Sequence, residues 1–387
     1  MVIRTIYKPF HPHIFMTISL CVITKDNAGT IVNCLSSVSS LVDEIVVVDT
    51  GSSDNTKELC SSVGDLVKVY DYSWNWNFSD AKNFALSKAT GDWVLALDAD
   101  EVISSVDHSK ILRAISVASD DGILGISLIQ RNYSNELGGF GWTSTSDDSY
   151  PESKVASGFV SRRMVRLFRN ISGIKFSGAV HDSVEPSINS RGSSVLDTDI
   201  PIHHYGALSR DNLSRRKLYL EIELKNLREG DYFQNYQIAS QYHSIGESQK
   251  ALEFIDKSLL INPDFYLAHL EKGLVKMKLE SFDEAFDSLK VAEDLLIREK
   301  ATPGSMIHLS EVLGGLGVVY SKMNNYHSAL KCYRRALFLS PNNATHYFNL
   351  GLLLLSMNNK SEALQSFKEA IRLNPKFDEL VKITDKG

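Results

Sequence analysis

The 387-residue sequence predicts an α/β domain with a mostly parallel sheet, followed by an all-α solenoid of helical repeats. Three observations predict it. Up to about residue 208, short apolar runs alternate with helix-like segments, the pattern of βαβ units. From about Asp231 the apolar period becomes purely helical. Within that second half, small residues recur in windows of 34 residues.

In the first half, TISLCVIT (17–24) is a strand, and a helix rich in small residues follows over about 28–40. DEIVVVDTGSSDNT (43–56) is a second strand that leaves through Asp49 into a Gly/Ser turn, with Ser53 or Asp54 as N-cap of the next helix. LVKVYDY is a third strand, FSDAKNFALSKA a helix with Ser79 as N-cap, and DWVLALDAD a fourth strand. In open α/β sheets the ligand crevice lies at the carboxyl ends of the strands. Thr24, Asp49 and Asp98 are therefore expected to face one another.

The repeat windows start at Tyr232, Tyr266, Ser310 and Ala344, with an insertion of about ten residues around Thr302 before the third. Position 8 is Ala239, Gly273, Gly317 and Gly351; position 20 is Ala251, Ala285, Ala329 and Ala363. Small residues at those places let two antiparallel helices touch, as in tetratricopeptide repeats. Such solenoids commonly hold peptide, so the expected role here is recruitment of a protein or peptide acceptor, against a structural or dimerising one.

Composition excludes several classes. A net charge of −6 gives no footprint for nucleic acid. Four scattered cysteines without a C-x-x-C pair read as small buried hydrophobes in a reducing compartment. Lys8, His11, Pro12 and His13 break the N-terminal apolar run, and no stretch has the ~20 apolar residues of a membrane helix. A soluble, cytoplasmic protein is expected.

The fourth strand ends on Asp98, Asp100 and Glu101. A buried strand terminus with that much negative charge needs a positive partner. Two Asp at i and i+2 of an extended segment point the same way and can share a divalent ion, Mg²⁺ or Mn²⁺, that also suits a diphosphate. The competing explanation, a helix N-terminus capped by acids, accounts for one of the three.

Together, ITKDNAGTIVNCLSSV, DEIVVVDTGSSDNT and NFSDAKNFALSKATGDWVLALDADE resemble the family 2 glycosyltransferases of the GT-A fold. RRMVRLFRNISGIKFSGAVHDSVEP (162–186) and DIPIHHYGAL (199–208) are similar to segments of the subgroup with C-terminal tetratricopeptide-like helices, which includes bacterial glycocin peptide S-glycosyltransferases. The resemblance implies an N-terminal extension (1–15), a GT-A domain (16–208), a linker helix (209–230) and a domain of about four repeats (231–387). It implies Thr24 and Asp49 at the nucleobase, Lys82 near the nucleotide, Asp98 at the ribose or metal shell, and Asp100 at the metal and diphosphate. Asp182, which stands where the subgroup usually has Glu, is the candidate base, with His181 as its rival. His203 or His204 completes the metal shell, His204 favoured because it lies two residues before Gly206.

Arg166 and Arg169 are candidates to neutralise phosphate. Trp74, Trp76 and Trp142 are weaker candidates for sugar stacking. Residues 138–158, rich in Gly, Ser and Asp, read as a mobile loop over the site or as a surface excursion. The implied activity is inverting, metal-dependent transfer of a hexose or N-acetylhexosamine from a UDP-sugar to a peptide or protein side chain, by oxygen or sulfur. The alternatives are transfer to lipopolysaccharide or another surface glycan, and an inactive interaction scaffold; a homodimer is compatible with each.

Overall fold

A computed structural model describes residues 16–135, 142–209, 212–298 and 302–384. The N-terminal extension (1–15) and residues 136–141 of the Gly/Ser/Asp-rich segment lie outside the described residues. In chain order the first half comprises β1 (Ile18–Thr24), α1 (Ile31–Val38), β2 (Glu44–Asp49), α2 (Thr56–Ser62), β3 (Val67–Asp71), α3 (Phe78–Leu86), β4 (Trp93–Asp98) and β5 (Glu101–Val102). There follow α4 (His108–Asp120), β6 (Gly125–Ser134), β7 (Trp142–Ser144), β8 (Gly158–Arg169), α5 (Glu185–Asn189), β9 (Val195–His204) and α6 (Gly206–Ser209).

The strands form one sheet in the order β3-β2-β1-β4-β8-β6-β9-β5, with β7 paired to β8. β1 pairs in parallel with β2 and β4, which explains why these strands are near-continuous apolar runs: both faces are covered. On one face Ile31, Leu35 and Val38 of α1 pack with Ile111 and Ile115 of α4; on the other, Ala85 of α3 packs with Phe168, Phe176 and Ile188. Two expected N-caps shift. Asn77, not Ser79, caps α3 by accepting from Asp80 N at 3.2 Å, and Asn55 precedes α2 while Asp54 accepts from Thr56 N.

The second half begins with α7 (Asn212–Lys225) and continues as helix pairs: α8 (Tyr232–Ser244) with α9 (Ser248–Ile261), and α10 (Tyr266–Lys278) with α11 (Phe282–Arg298). Next come α12 (Pro303–Lys322) with α13 (Tyr326–Leu339), α14 (Ala344–Ser356) with α15 (Lys360–Leu373), and a last helix α16 (Phe377–Thr384). The ten-residue insertion lengthens helices on either side of 299–301: α11 has 17 residues and α12 has 20. A Cβ on Gly351 would stand 2.5 Å from the Phe367 ring, so only glycine lets α14 and α15 approach as they do.

The last repeats return to the sheet domain. Trp142 of β7 packs with Ala344, Ala370, Leu373 and Phe377, and Ser144 Oγ donates to the Leu373 carbonyl at 2.5 Å. This buries Trp142 and removes it from the sugar-stacking candidates.

Each repeat turns between its two helices through one left-handed residue: Gly246, Glu280, Asn324 and Asn358. Asn tolerates that conformation, whereas Glu280, exposed and at φ 58°, pays for a Cβ against its carbonyl. Glu280→Gly should raise stability by about 0.5–1 kcal/mol. The urea midpoint checks it; an unchanged or lower midpoint would mean that the glutamate side chain stabilises this turn.

Candidate active site

The carboxylate cluster is assembled by a two-residue pairing. β5 lies antiparallel to the end of β9, with Glu101 opposite His204 and Val102 opposite His203. Strand alternation then decides between the two histidines. His203 is fully buried against Tyr133, whose hydroxyl lies 2.7 Å from Nδ1, and burial pushes its pKa down to about 4. His204 faces Asp100, with Nε2 3.3 Å from Oδ1.

Hydrogen bonds fix the state of His204. The Asn132 amide nitrogen donates to Gln130 Oε1 and the Val160 carbonyl, so Asn132 Oδ1 is the atom that meets His204 Nδ1 at 2.6 Å. An amide oxygen only accepts, so Nδ1 carries a proton. A neutral ring would then present a bare Nε2 to a carboxylate oxygen, and two acceptors at 3.3 Å need a proton or a cation between them. Burial opposes protonation, but Asp100 outweighs it and raises the His204 pKa.

Gly206 leaves room beside this pair. A Cβ there would stand 2.6 Å from Asp100 Oδ2 and 2.7 Å from His204 Nε2. The donor set suits Mn²⁺ or Mg²⁺, which take one or two protein ligands and fill the rest with water and phosphate. Among the described residues no group of three His, Cys, Asp or Glu side chains is arranged to hold an ion.

Asp98 does not join this pair, because β4 ends at Asp98 and the chain turns through Ala99 and Asp100. The expected parallel pair of carboxylates is therefore absent. Asp98 Oδ1 lies 3.1 Å from Lys82 Nζ and Oδ2 3.0 Å from Arg166 Nη2. Burial alone would raise its pKa, but Arg166 and Lys82 hold it well below the usual carboxylate range. Glu101, fully buried, accepts from Arg166 at 3.1 Å, from Gln130, and through Oε2 from Asp98 N at 2.8 Å. Burial and the neighbouring Asp98 raise its pKa. Arg166, a phosphate candidate, is itself buried and neutralises these two acids. Arg169 pairs with Trp93 at the opposite end of β4, away from the crevice.

Lys82 has a second partner, Asp182 Oδ2, at 2.8 Å. Burial would depress the ammonium, but Asp182 and Asp98 raise its pKa. The loop carrying Asp182 is fastened to the same helix: Asn83 exchanges two hydrogen bonds with the Phe176 backbone, Ser79 Oγ donates to the Gly178 carbonyl, and Phe78 N donates to the Ala179 carbonyl. Gly178 sits at φ 105°, where a Cβ would stand 2.6 Å from the His181 carbonyl. α3 thus positions both the cation and the loop that bears the candidate base.

His181 is held down to about 4 by burial, with Arg162 adding to it. Its Nε2 lies 3.8 Å from Glu223 Oε1 of α7, a buried carboxyl pushed up to about 7 by burial and Asp231. Nothing in the motif order marks Glu223; it is 42 positions along the chain from its neighbour.

Asp49 and Trp74 line an open cleft of about 320 Å³ with Gly51, Lys57, Asp71 and Tyr72. Asp49 accepts from Gly51 N at 2.9 Å and Ser52 N at 2.8 Å, so it shapes the turn that floors the cleft. Thr24 is joined to that turn through Thr50, which donates to its carbonyl. Trp76 is not part of that lining; it takes a left-handed conformation, with Lys225 Nζ 3.6 Å over its ring.

Two outcomes test this arrangement. Lys82→Met leaves Asp98 and Asp182 without their shared cation and should cost about 3 kcal/mol at pH 7 by urea unfolding. A loss below 1 kcal/mol would mean water replaces the ammonium. Glu223 keeps a proton in the folded chain that the unfolded chain releases between about pH 4.5 and 7, so stability falls as pH rises across that window. Glu223→Gln should therefore melt like the wild type near pH 4 and higher above pH 7; equal melting temperatures at pH 8 would refute it.

Residues 19–170 match the model of glycosyl transferase family 2, and residues 315–376 match a tetratricopeptide repeat model. A TPR repeat-containing protein of Synechococcus elongatus is 31% identical over 205 residues, 51% of this chain and 44% of that protein. The SPbeta prophage-derived glycosyltransferase SunS of Bacillus subtilis is 23% identical over 63% of this chain and 53% of its own length. An uncharacterized glycosyltransferase of Rickettsia felis is 24% identical over 58% of this chain and 75% of its own. The chain thus spans about half the length of the first two of these relatives. The first match falls on the parallel strands and their extension to β8 and the second on the paired helices α12 to α15, so residues 19–170 resemble a family 2 glycosyl transferase domain and residues 315–376 a tetratricopeptide repeat.

Proposed function

We propose that the protein is an inverting glycosyltransferase that moves a hexose or N-acetylhexosamine from a UDP-sugar to a peptide or protein side chain. One observation carries the reading: a candidate cation site, Asp100 with His204, and the ion-paired set Asp98–Lys82–Asp182 that holds the candidate base lie side by side at the carboxyl end of β4, where the His204 charge acts on Asp98. The cleft beside Asp49 and Trp74 suits a nucleobase, and its walls are the turns that follow β2 and β3.

Transfer needs the acceptor proton removed as the nucleophile attacks, and charge on the leaving diphosphate stabilised. Asp182 takes that proton, or His181 does, whose low pKa keeps it neutral near pH 7. Lys82 holds Asp182 in place, and Asp98 orients Lys82. Asp100 and His204 would hold Mn²⁺ or Mg²⁺, which when bound neutralises the diphosphate.

Recruitment by the repeats is supported by the place where they begin. Arg162 of β8 lies near His181, and Glu223 of α7, the helix that leads into the first repeat, stands 3.8 Å from His181, so the candidate bases and the start of the solenoid adjoin. Among the described residues no helix is long and apolar enough to cross a membrane.

The test is a thermal-shift and donor-hydrolysis screen with UDP-, GDP- and dTDP-sugars in Mn²⁺, Mg²⁺ or EDTA. One UDP-sugar should stabilise the protein and turn over with metal, and Asp100→Asn should lower that turnover about 10³-fold or more without unfolding the chain. Wild-type turnover by the folded variant would overturn the metal assignment. The absence of any donor response would count against the whole reading.

A further inference from the structure

We propose that Arg215, on the helix α7 that joins the two halves, binds the donor's diphosphate beside Asp100 and His204 and stabilises it as it leaves. The proposal rests on the glycosyltransferase reading. It makes the connecting helix a working part of the site.

The position is fixed by Gly206. The point where its Cβ would stand is 3.0 Å from Arg215 Nη1, 2.6 Å from Asp100 Oδ2 and 2.7 Å from His204 Nε2. Nη1 also donates to the Gly206 carbonyl at 3.3 Å. The guanidinium thus reaches the rim of the proposed cation site, from a different element than any ligand there. Its planar fork of donors matches phosphate oxygens in a way an ammonium does not.

The rest of α7 holds it there. Tyr219, one turn on, meets Phe78 edge to face with centroids 5.8 Å apart, and Glu223, another turn on, is 3.8 Å from His181. Residues four apart lie on one helix face, so Arg215, Tyr219 and Glu223 form a stripe along the crevice. Past the end of the helix, Asn226 Nδ2 donates to the Trp76 carbonyl at 3.4 Å, and Ile222 is fully buried.

In the reaction, the bond from the anomeric carbon to the β-phosphate oxygen breaks and its electron pair stays on that oxygen. The acceptor oxygen or sulfur bonds to the anomeric carbon and its proton passes to the base. Arg215 donates N–H bonds to the phosphate that gains the charge.

The alternative is that Arg215 only braces Asp100, and calorimetric titration separates the two. Wild type, Arg215→Gln and Arg215→Lys are titrated with UDP, GDP and dTDP and with the matching nucleosides, in Mn²⁺ and in EDTA. The wild type should bind one diphosphate. Arg215→Gln should weaken it about ten- to a hundredfold in both buffers, with nucleoside affinity and melting temperature kept and Arg215→Lys recovering part of the loss. Unchanged diphosphate affinity in Arg215→Gln would overturn the proposal, as would an equal loss for the nucleoside or unfolding of both variants. A folded wild type that binds no diphosphate would overturn the glycosyltransferase reading, and this proposal with it.

Discussion

A single ammonium holds the candidate site together. Lys82 lies buried between Asp98, at the end of a central strand, and Asp182, on a loop that follows β8. Two carboxylates converging on a region poor in water repel each other, and each would lose much of its hydration without compensation. With a cation between them, the repulsion becomes a constraint: the strand end and the loop must stay within one side chain's reach. The helix that supplies the lysine also bolts down the loop through Ser79, Asn83 and the backbone of Phe78. Changes in the register of α3 would therefore move the acid and its counter-ion together.

The strands β1, β2 and β4 were legible in the sequence because they are buried on both faces, which writes them as unbroken apolar runs, whereas β6, β8 and β9 carry half-buried or exposed polar residues and were not. The repeats were legible because helix contact demands small residues at fixed intervals. Within the site, Asp98 and Asp100 could be picked out as acids at a strand end, and Lys82 and Asp182 by the family resemblance, but their pairings could not. Period-2 reasoning put Asp98 and Asp100 on one ligand; the strand stops two residues too early for that. Glu101 read as one more negative charge, whereas it is the anchor for Arg166 and the Asp98 amide. The choice of His204 over His203 rested on a motif, and strand alternation supplies the physical reason.

What the sequence hid most completely is the contribution of residues beyond the sheet. Arg215, Tyr219 and Glu223 sit in a helix that reads only as a linker, and their partners are distant in the chain. Such pairings depend on where β9 delivers the polypeptide after Gly206. That delivery is set by sheet order, which local pattern does not encode. The Trp142 contact is hidden for the same reason: a tryptophan more readily read as core than as a sugar platform finds its partners more than 200 residues later in the chain.

That contact makes the repeat array an arch. A solenoid attached at one end is a cantilever and can flex open along its whole length. Here the first helices rest on the crevice through α7, and the last ones clasp Trp142, Ser144 and, through Arg372, Asp147. With both abutments on one rigid sheet, the curvature of the span is fixed, and straightening it would draw an indole out of its socket.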